Sequence, residues 1–198
     1  MISRRKFVAL LPVVPPVCKA MLAHNAEWAQ FASELSRTLA NLHEDEFLIL
    51  ETKSDGYYVQ FAGQDSFGMR AEAVSNGYLN GDTRLSEKAC SKLMGLGWKN
   101  PTIIPDPVSD LQGYKGYGSP NYFLDLDTPV PYRSVANLAV STLRGVFGAR
   151  HPGELEYKAF AKYSGSIEFP NLRIAAVNPE AKKRAAPVLA TPTRRWRK

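Results

Sequence analysis

The sequence has few of the residues from which metal and catalytic sites are built. It contains two cysteines, Cys18 and Cys90, and three histidines in 198 residues. One pair of cysteines provides neither a disulfide framework nor the spacing of a zinc site. The histidines, His24, His43 and His151, are scattered, and none has a second ligand at helical metal-binding spacing. We therefore expect solvated or capping histidines, and neither a metal nor a cofactor.

Motifs for covalent and phosphate chemistry are also missing. No serine stands in a nucleophile elbow, and the glycines Gly113, Gly116 and Gly118 are followed by Pro120 rather than by a helical pattern. Asp125 and Asp127 fall on one face of a predicted strand, which allows a paired acid site, but an exposed strand face explains them better. The sequence therefore predicts a protein that is not an enzyme.

Apolar runs are too short for a membrane-spanning helix, which needs about 20 such residues. The N-terminus, with Ser3-Arg4-Arg5-Lys6-Phe7, resembles the start of a twin-arginine export signal. Pro12, Pro15 and Pro16 interrupt the apolar stretch that follows, and Met21 offers a later translation start. Export is therefore kept only as the alternative location.

The net charge of +6 is unevenly distributed. Residues 1–20 carry four basic residues, and residues 171–198 carry eight basic residues and one glutamate. The part between them has 13 basic and 18 acidic residues. This pattern indicates an acidic domain with basic ends, and argues against a basic nucleic-acid-binding fold.

Hydrophobic periodicity predicts an α+β protein. Helices are expected at 25–42 with Asn25 as N-cap, at 86–96, at 132–147 and, shorter, at 154–162. Strands are expected at 47–53, 57–62, 69–75, 102–104 and 122–126, and residues 166–175 are expected to be extended. The pair Asp55-Gly56 predicts a type I′ hairpin turn. The pattern indicates two layers, an antiparallel meander sheet with flanking helices in the order α-β-β-β-α-β-β-α.

Candidate partner-binding residues lie on the second and third strands and in the loop after the second helix. Tyr58 and Gln60 alternate with core positions, and so do Arg70 and Glu72. Their common face is either a recognition surface or a contact with the C-terminal segment or a second subunit. The loop at 100–120 carries Tyr114 and Tyr117 between glycines, a combination typical of adaptable contact surfaces.

The basic C-terminus supports a second hypothesis of a different class. Its cations would neutralise phosphates and its tryptophan would stack on a base, which gives a nucleic-acid-associated protein. The residues concerned are Lys182, Lys183, Arg184, Arg194, Arg195, Trp196, Arg197 and Lys198. The alternatives are a solubilising tail or one that docks on the acidic domain.

Three segments carry a family resemblance when taken in order. These are Gly56-Tyr57-Tyr58-Val59-Gln60-Phe61, Arg70-Ala71-Glu72-Ala73-Val74-Ser75-Asn76, and Leu93-Met94-Gly95-Leu96-Gly97-Trp98. Over residues 25–150 the chain resembles the actinobacterial TY-Chap domains, which belong with the type III secretion chaperone-like and YbjN-like superfamily.

The resemblance implies a non-enzymatic, cytoplasmic chaperone or adaptor that binds a client protein segment, often as a homodimer. It implies no catalytic residue. The expected organisation is an N-terminal extension at 1–24, the chaperone-like domain at 25–150, a C-terminal extension at 151–176 and a basic disordered tail at 177–198.

Overall fold

The computed structural model describes residues 16–103, 118–163 and 165–177, with side chains from residue 24 onward. Its helices are α1 (Pro16–Ala40), α2 (Glu87–Leu96) and α3 (Tyr132–Gly145). Its strands are β1 (Glu46–Thr52), β2 (Tyr58–Gly63), β3 (Met69–Ala73), β4 (Tyr122–Leu126), β5 (Leu155–Ala161), β6 (Gly165–Ser166) and β7 (Ala175–Ala176).

The strands form one sheet in the order β4-β3-β2-β1-β5-β6, and β7 pairs with β5 beside β6. All pairings are antiparallel except that of β7 with β5. The helices pack on one face, which we call the inner face, and share a single hydrophobic core with it. This confirms the predicted α+β fold class with an antiparallel sheet.

The core forms because α1 and the strands present apolar residues at the expected periods. Trp28, Leu35 and Leu39 of α1 are almost fully buried, and so are alternate strand residues such as Leu48 and Phe61. Each fully buried side chain of this size contributes about 1.5–3 kcal/mol relative to an exposed one. The alternation therefore fixes which sheet face is covered by helices.

Two helix predictions are refined by the structure. α1 begins at Pro16, so Asn25 lies inside the helix and is not its N-cap. Proline suits the first helical position because its missing N–H has no intrahelical partner there. α2 follows the prediction closely: the Ser86 side chain accepts from the Ala89 N–H, and Gly97 ends the helix in the left-handed conformation.

The type I′ turn predicted at Asp55-Gly56 does not form. Thr52 N–H donates to Tyr57 O at 2.8 Å and Gly56 N–H donates to Thr52 O at 3.2 Å, so the loop spans four residues, 53–56. Only Gly56 in this loop has a positive φ, of 69°, whereas a type I′ turn requires two such residues.

The helix predicted at 154–162 is wrong, because these residues form β5. This strand pairs with β1 over seven positions, from Glu46↔Ala161 to Thr52↔Leu155. The sheet therefore includes a strand beyond residue 150. The short strand predicted at 102–104 is absent at Thr102 and Ile103, and Lys99 instead makes a bridge to Phe123 on β4.

Residues after β5 return along its open edge. β6 pairs with Phe160 and Ala161, and β7 pairs with Glu156 and Tyr157. Between them the chain lies on the inner side, where Leu172 is buried and Asn171 Nδ2 donates to Thr38 Oγ1 of α1 at 3.0 Å. In the part of the chain that the structure describes, no helix has the length and apolarity needed to cross a membrane.

Candidate functional site

The face of the sheet opposite the helices, which we call the outer face, carries the partner-binding residues predicted on strands. The register sets Gln60 opposite Glu72 and Ala62 opposite Arg70. Side chains alternate along a strand, so Tyr58, Gln60, Arg70 and Glu72 share this face while Val59 is buried beneath it. The structure therefore brings all four residues together.

Arg70 is buried rather than exposed, with a relative accessibility of 8%. Its guanidinium makes a two-point ion pair with Asp125, with Nε–Oδ1 at 2.6 Å and Nη2–Oδ2 at 2.9 Å. Nη1 donates to Gly118 O at 3.2 Å. Burial acts to lower the pKa of Arg70, but Asp125 and Glu72 outweigh it and raise that pKa above its ordinary value.

Glu72 joins the strands to the segment that leads into β4. Its Oε2 accepts from Gln60 Nε2, and its Oε1 accepts from Ser119 Oγ at 2.5 Å. The remaining amide oxygen of Gln60, Oε1, is buried and has no hydrogen-bond partner among the described residues. Each carboxylate oxygen of Glu72 thus accepts one hydrogen bond, and Gln60 Oε1 is shielded from solvent.

Tyr58 extends the same network to Asn121. The Tyr58 hydroxyl accepts from Asn121 Nδ2 at 3.2 Å, and Asn121 Oδ1 accepts from Ser75 N–H at 3.2 Å. Burial raises the pKa of Tyr58 well above its ordinary value; the Asn121 hydrogen bond opposes this rise and the charge of Glu72 adds to it. We call these groups the polar network; it comprises Tyr58, Gln60, Arg70, Glu72, Ser119, Asn121 and Asp125.

Beside the polar network, β1 and β5 place an apolar patch on the outer face, formed by Phe47, Ile49 and Phe160. Phe47 and Phe160 stack with ring centroids 5.1 Å apart and planes inclined by 20°. All three side chains are half-buried, and none belongs to the hydrophobic core. Sequence reasoning missed Phe160 because 154–162 was assigned to a helix. The alternation of Leu155, Tyr157 and Ala159 with polar or outward residues was the available signal.

A pocket lies at the β4 end of the molecule, beside the polar network. Its lining residues are Ser75, Asn76, Gly77, Pro101, Thr102, Ile103, Pro120 and Tyr122. Across the described residues, no three His, Cys, Asp or Glu side chains come together as a possible metal site. The residues that line the pocket offer hydrogen-bonding groups and apolar surface.

The remaining predicted site residues fall outside the described ranges. These are Tyr114 and Tyr117 in the loop, and Lys182, Lys183, Arg184, Arg194, Arg195, Trp196, Arg197 and Lys198 in the tail. The described flanks of the loop meet each other: Thr102 N–H donates to Ser119 O, and Ser119 N–H donates to Thr102 Oγ1, both at 2.9 Å. The loop thus starts and ends next to Glu72.

Comparison with known proteins agrees with the resemblance seen in the sequence. Residues 22–161 match the model of one family, TY-Chap3, described as T3SS (YopN, CesT) and YbjN peptide-binding chaperone 3. The matched range runs from α1 to the end of β5 and so contains both halves of the outer face. Searches of the curated proteins and of the solved structures gave no match. With its α+β fold and this match over most of its length, the chain belongs to the TY-Chap3 family of peptide-binding chaperones.

Proposed function

We propose that this protein is a non-enzymatic chaperone or adaptor that holds a segment of a client protein on the outer face of its sheet. The family supports peptide binding in general. The choice of surface rests on one observation: Phe47, Ile49 and Phe160 are half-buried, large and apolar, and they stand on a sheet face that carries none of the three described helices.

The apolar patch has the composition of a contact surface rather than of a solvated strand face. Phe47 and Phe160 are held against each other, so few rotamers are lost when a partner covers them. Aromatic side chains placed in this way contribute most to the binding energy of protein interfaces. A client segment with apolar side chains would remove them from water, at about 25 cal/mol for each Å² of apolar surface buried.

The polar network supports the same surface from the β2–β4 side. Its hydrogen bonds hold Tyr58, Gln60 and Glu72 in fixed positions before a client arrives. In this proposal Tyr114 and Tyr117 of the loop add contacts at the same end, since the loop flanks meet beside Glu72.

Selection from a displayed random-peptide library, followed by calorimetry on single peptides, tests the proposal. We expect Ile49→Ser and Phe160→Ser to weaken binding about tenfold or more, equivalent to about 1.4 kcal/mol. Met94→Ser is the matched control, because Met94 is an exposed apolar residue on α2, away from the outer face. It should leave binding unchanged.

The same binding measurements can contradict the assignment of the client site to the outer face. Equal affinities for the Ile49→Ser, Phe160→Ser and parent chains would show that clients bind elsewhere. Loss of binding with Met94→Ser would move the site to the helical side. If the outer face instead joins two copies of the chain, sedimentation will show a dimer that Phe160→Ser dissociates and that competes with peptide.

A further inference from the structure

We infer that the outer face is occupied, in the protein without a client, by the chain's own C-terminal segment, residues 178–198. This inference rests on the proposed function in one respect: both assign a ligand to the same apolar patch. It adds an internal competitor that regulates access to that site.

The described chain ends at Val177, beside β5. Val177 N–H donates to Tyr157 O of β5 at 2.8 Å, which directly follows the pairing of β7 with Glu156 and Tyr157. Because β7 is parallel to β5, the chain leaves this point in the direction of Phe160. The described chain therefore ends beside β5, the strand that carries Phe160, with its last residues directed toward that side chain.

Described residues occupy two sides of the space around Val177. Further along β5, the edge is already taken by β6, which pairs with Phe160 and Ala161. The inner side next to β5 is filled by the preceding segment, where Phe169 N–H donates to the Tyr157 hydroxyl at 2.8 Å and Leu172 is buried. Next to Val177, the β5 edge and the inner side are therefore both occupied by described residues.

Residues 178–198 are long enough to extend from Val177 to the apolar patch. Tyr157 and Phe160 are three positions apart on β5, or about 10 Å at roughly 3.3 Å per residue. The tail has 21 residues, whose extended span is about 70 Å. A tethered segment this close to its site has an effective concentration on the order of millimolar, so even weak contacts suffice for occupancy.

The outer face and residues 178–198 have formal charges of opposite sign. On the described strands, the outer face carries four carboxylates, Glu51, Glu72, Asp125 and Glu156, and two cations, Arg70 and Lys158, a formal balance of −2. Arg70 is ion-paired with Asp125, and Lys158 is ion-paired with Glu51. Residues 178–198 contain seven lysines and arginines and one glutamate. At physiological ionic strength opposite charges attract each other over a Debye length of about 8 Å, so this attraction acts only where the tail lies close to the outer face.

The tail also carries apolar residues to cover the patch. Val188, Leu189 and Trp196 lie between or beside its basic clusters, and Trp196 is flanked by Arg195 and Arg197. Arginine and tryptophan together suit a surface that combines stacked phenylalanines with carboxylates. A client of the same chemistry, apolar and basic, would displace the tail. Its apparent dissociation constant would equal the intrinsic constant divided by the fraction of protein in which the outer face is free.

The test follows the methyl NMR signal of Ile49 in the full-length chain. In the triple variant Lys182→Glu, Lys183→Glu, Arg184→Glu, and separately in Trp196→Ala, we expect this signal to shift toward the position it takes at high salt. A synthetic peptide of residues 178–198 added to the triple variant should restore the parent position. Reversal of charge at Lys88 and Arg133, which are exposed on α2 and α3, is the control and should leave Ile49 unchanged.

An Ile49 signal that is the same in the parent chain and in both tail variants overturns the inference, and so does a shift that depends only on protein concentration, which would mean a second copy. Tail-dependent binding of DNA or RNA without any Ile49 response would give the tail to nucleic acid instead. The outcome is separable from that of the proposed function. If library peptides bind but the Ile49 signal does not change in the tail variants, only the internal competitor is refuted. If the Ile49 signal changes in the tail variants but no library peptide binds, only the proposed client binding is refuted.

Discussion

The indole N–H of Trp98 donates a 2.9 Å hydrogen bond to the hydroxyl of Thr142, in the buried contact between the end of α2 and α3. The Thr142 hydroxyl in turn donates to Leu138 O at 2.9 Å. A residue just after one helix is thereby tied to the middle of another. Trp98 is 3% accessible, so it fills the core as well as making this bond.

Trp98→Ala should lower the free energy of unfolding by about 3–5 kcal/mol, because it removes a buried indole and leaves a cavity. Trp98→Phe keeps most of the volume and should cost less. Urea denaturation of both variants checks the order. A Trp98→Ala chain that keeps its stability but loses peptide binding would make Trp98 a recognition residue.

The Arg70–Asp125 pair should respond unequally to the loss of its two members. The Arg70 side chain is 9% accessible, whereas that of Asp125 is 48% accessible. Asp125→Ala leaves a buried guanidinium without its main partner and should cost about 1–3 kcal/mol. Arg70→Met leaves a carboxylate that water can solvate, and should cost less. Equal losses in urea denaturation would show that the pair is solvated as a whole.

Tyr58 should contribute to the loss of stability at alkaline pH. Its pKa is raised in the folded protein, mainly by burial, whereas an unfolded tyrosine titrates near pH 10. The stabilisation that it provides is therefore fully present below about pH 10 and is lost as pH rises through the folded pKa.

Tyr58→Phe removes this titration, so its stability should fall less steeply above about pH 10 than that of the parent chain. Denaturation at a series of pH values measures the slope. Tyr163→Phe is the control, since Tyr163 is 81% accessible and should not change it. Identical slopes in Tyr58→Phe and the parent would contradict the burial of this hydroxyl.

Gly63 should not tolerate a side chain. A Cβ at this position would stand 2.2 Å from His43 O, a backbone atom, so Gly63→Ala should cost at least about 1–3 kcal/mol. Gly95, within α2, has open space around its Cβ position. Gly95→Ala should therefore stabilise the protein by about 0.5–1 kcal/mol. Thermal denaturation of the two variants should move in opposite directions.

Local periodicity predicted most of the fold because the inner-face residues alternate cleanly. Val59 and Phe61 on β2, and Met69 and Ala71 on β3, are buried as predicted. β5 was missed because a single strand of mixed residues is stabilised by its pairing with β1, a contact between residues about 100 positions apart. No local propensity carries that information.

The candidate site was predictable in part for the same reason. Alternation placed Tyr58, Gln60, Arg70 and Glu72 on one face, but it did not reveal the partner that buries Arg70. Asp125 lies 55 positions away from Arg70, and the two meet only through the β3–β4 register. Likewise, the Phe47–Phe160 stack exists only because β5 joins the sheet next to β1.

Each edge of the sheet is partly covered by a short segment of the same chain. Residues 165–177 return along β5, and Lys99 exchanges two backbone hydrogen bonds with Phe123 on β4. Exposed strand edges recruit further strands and start aggregates. Because these segments occupy part of each edge, they reduce the unpaired backbone to which a further strand could add.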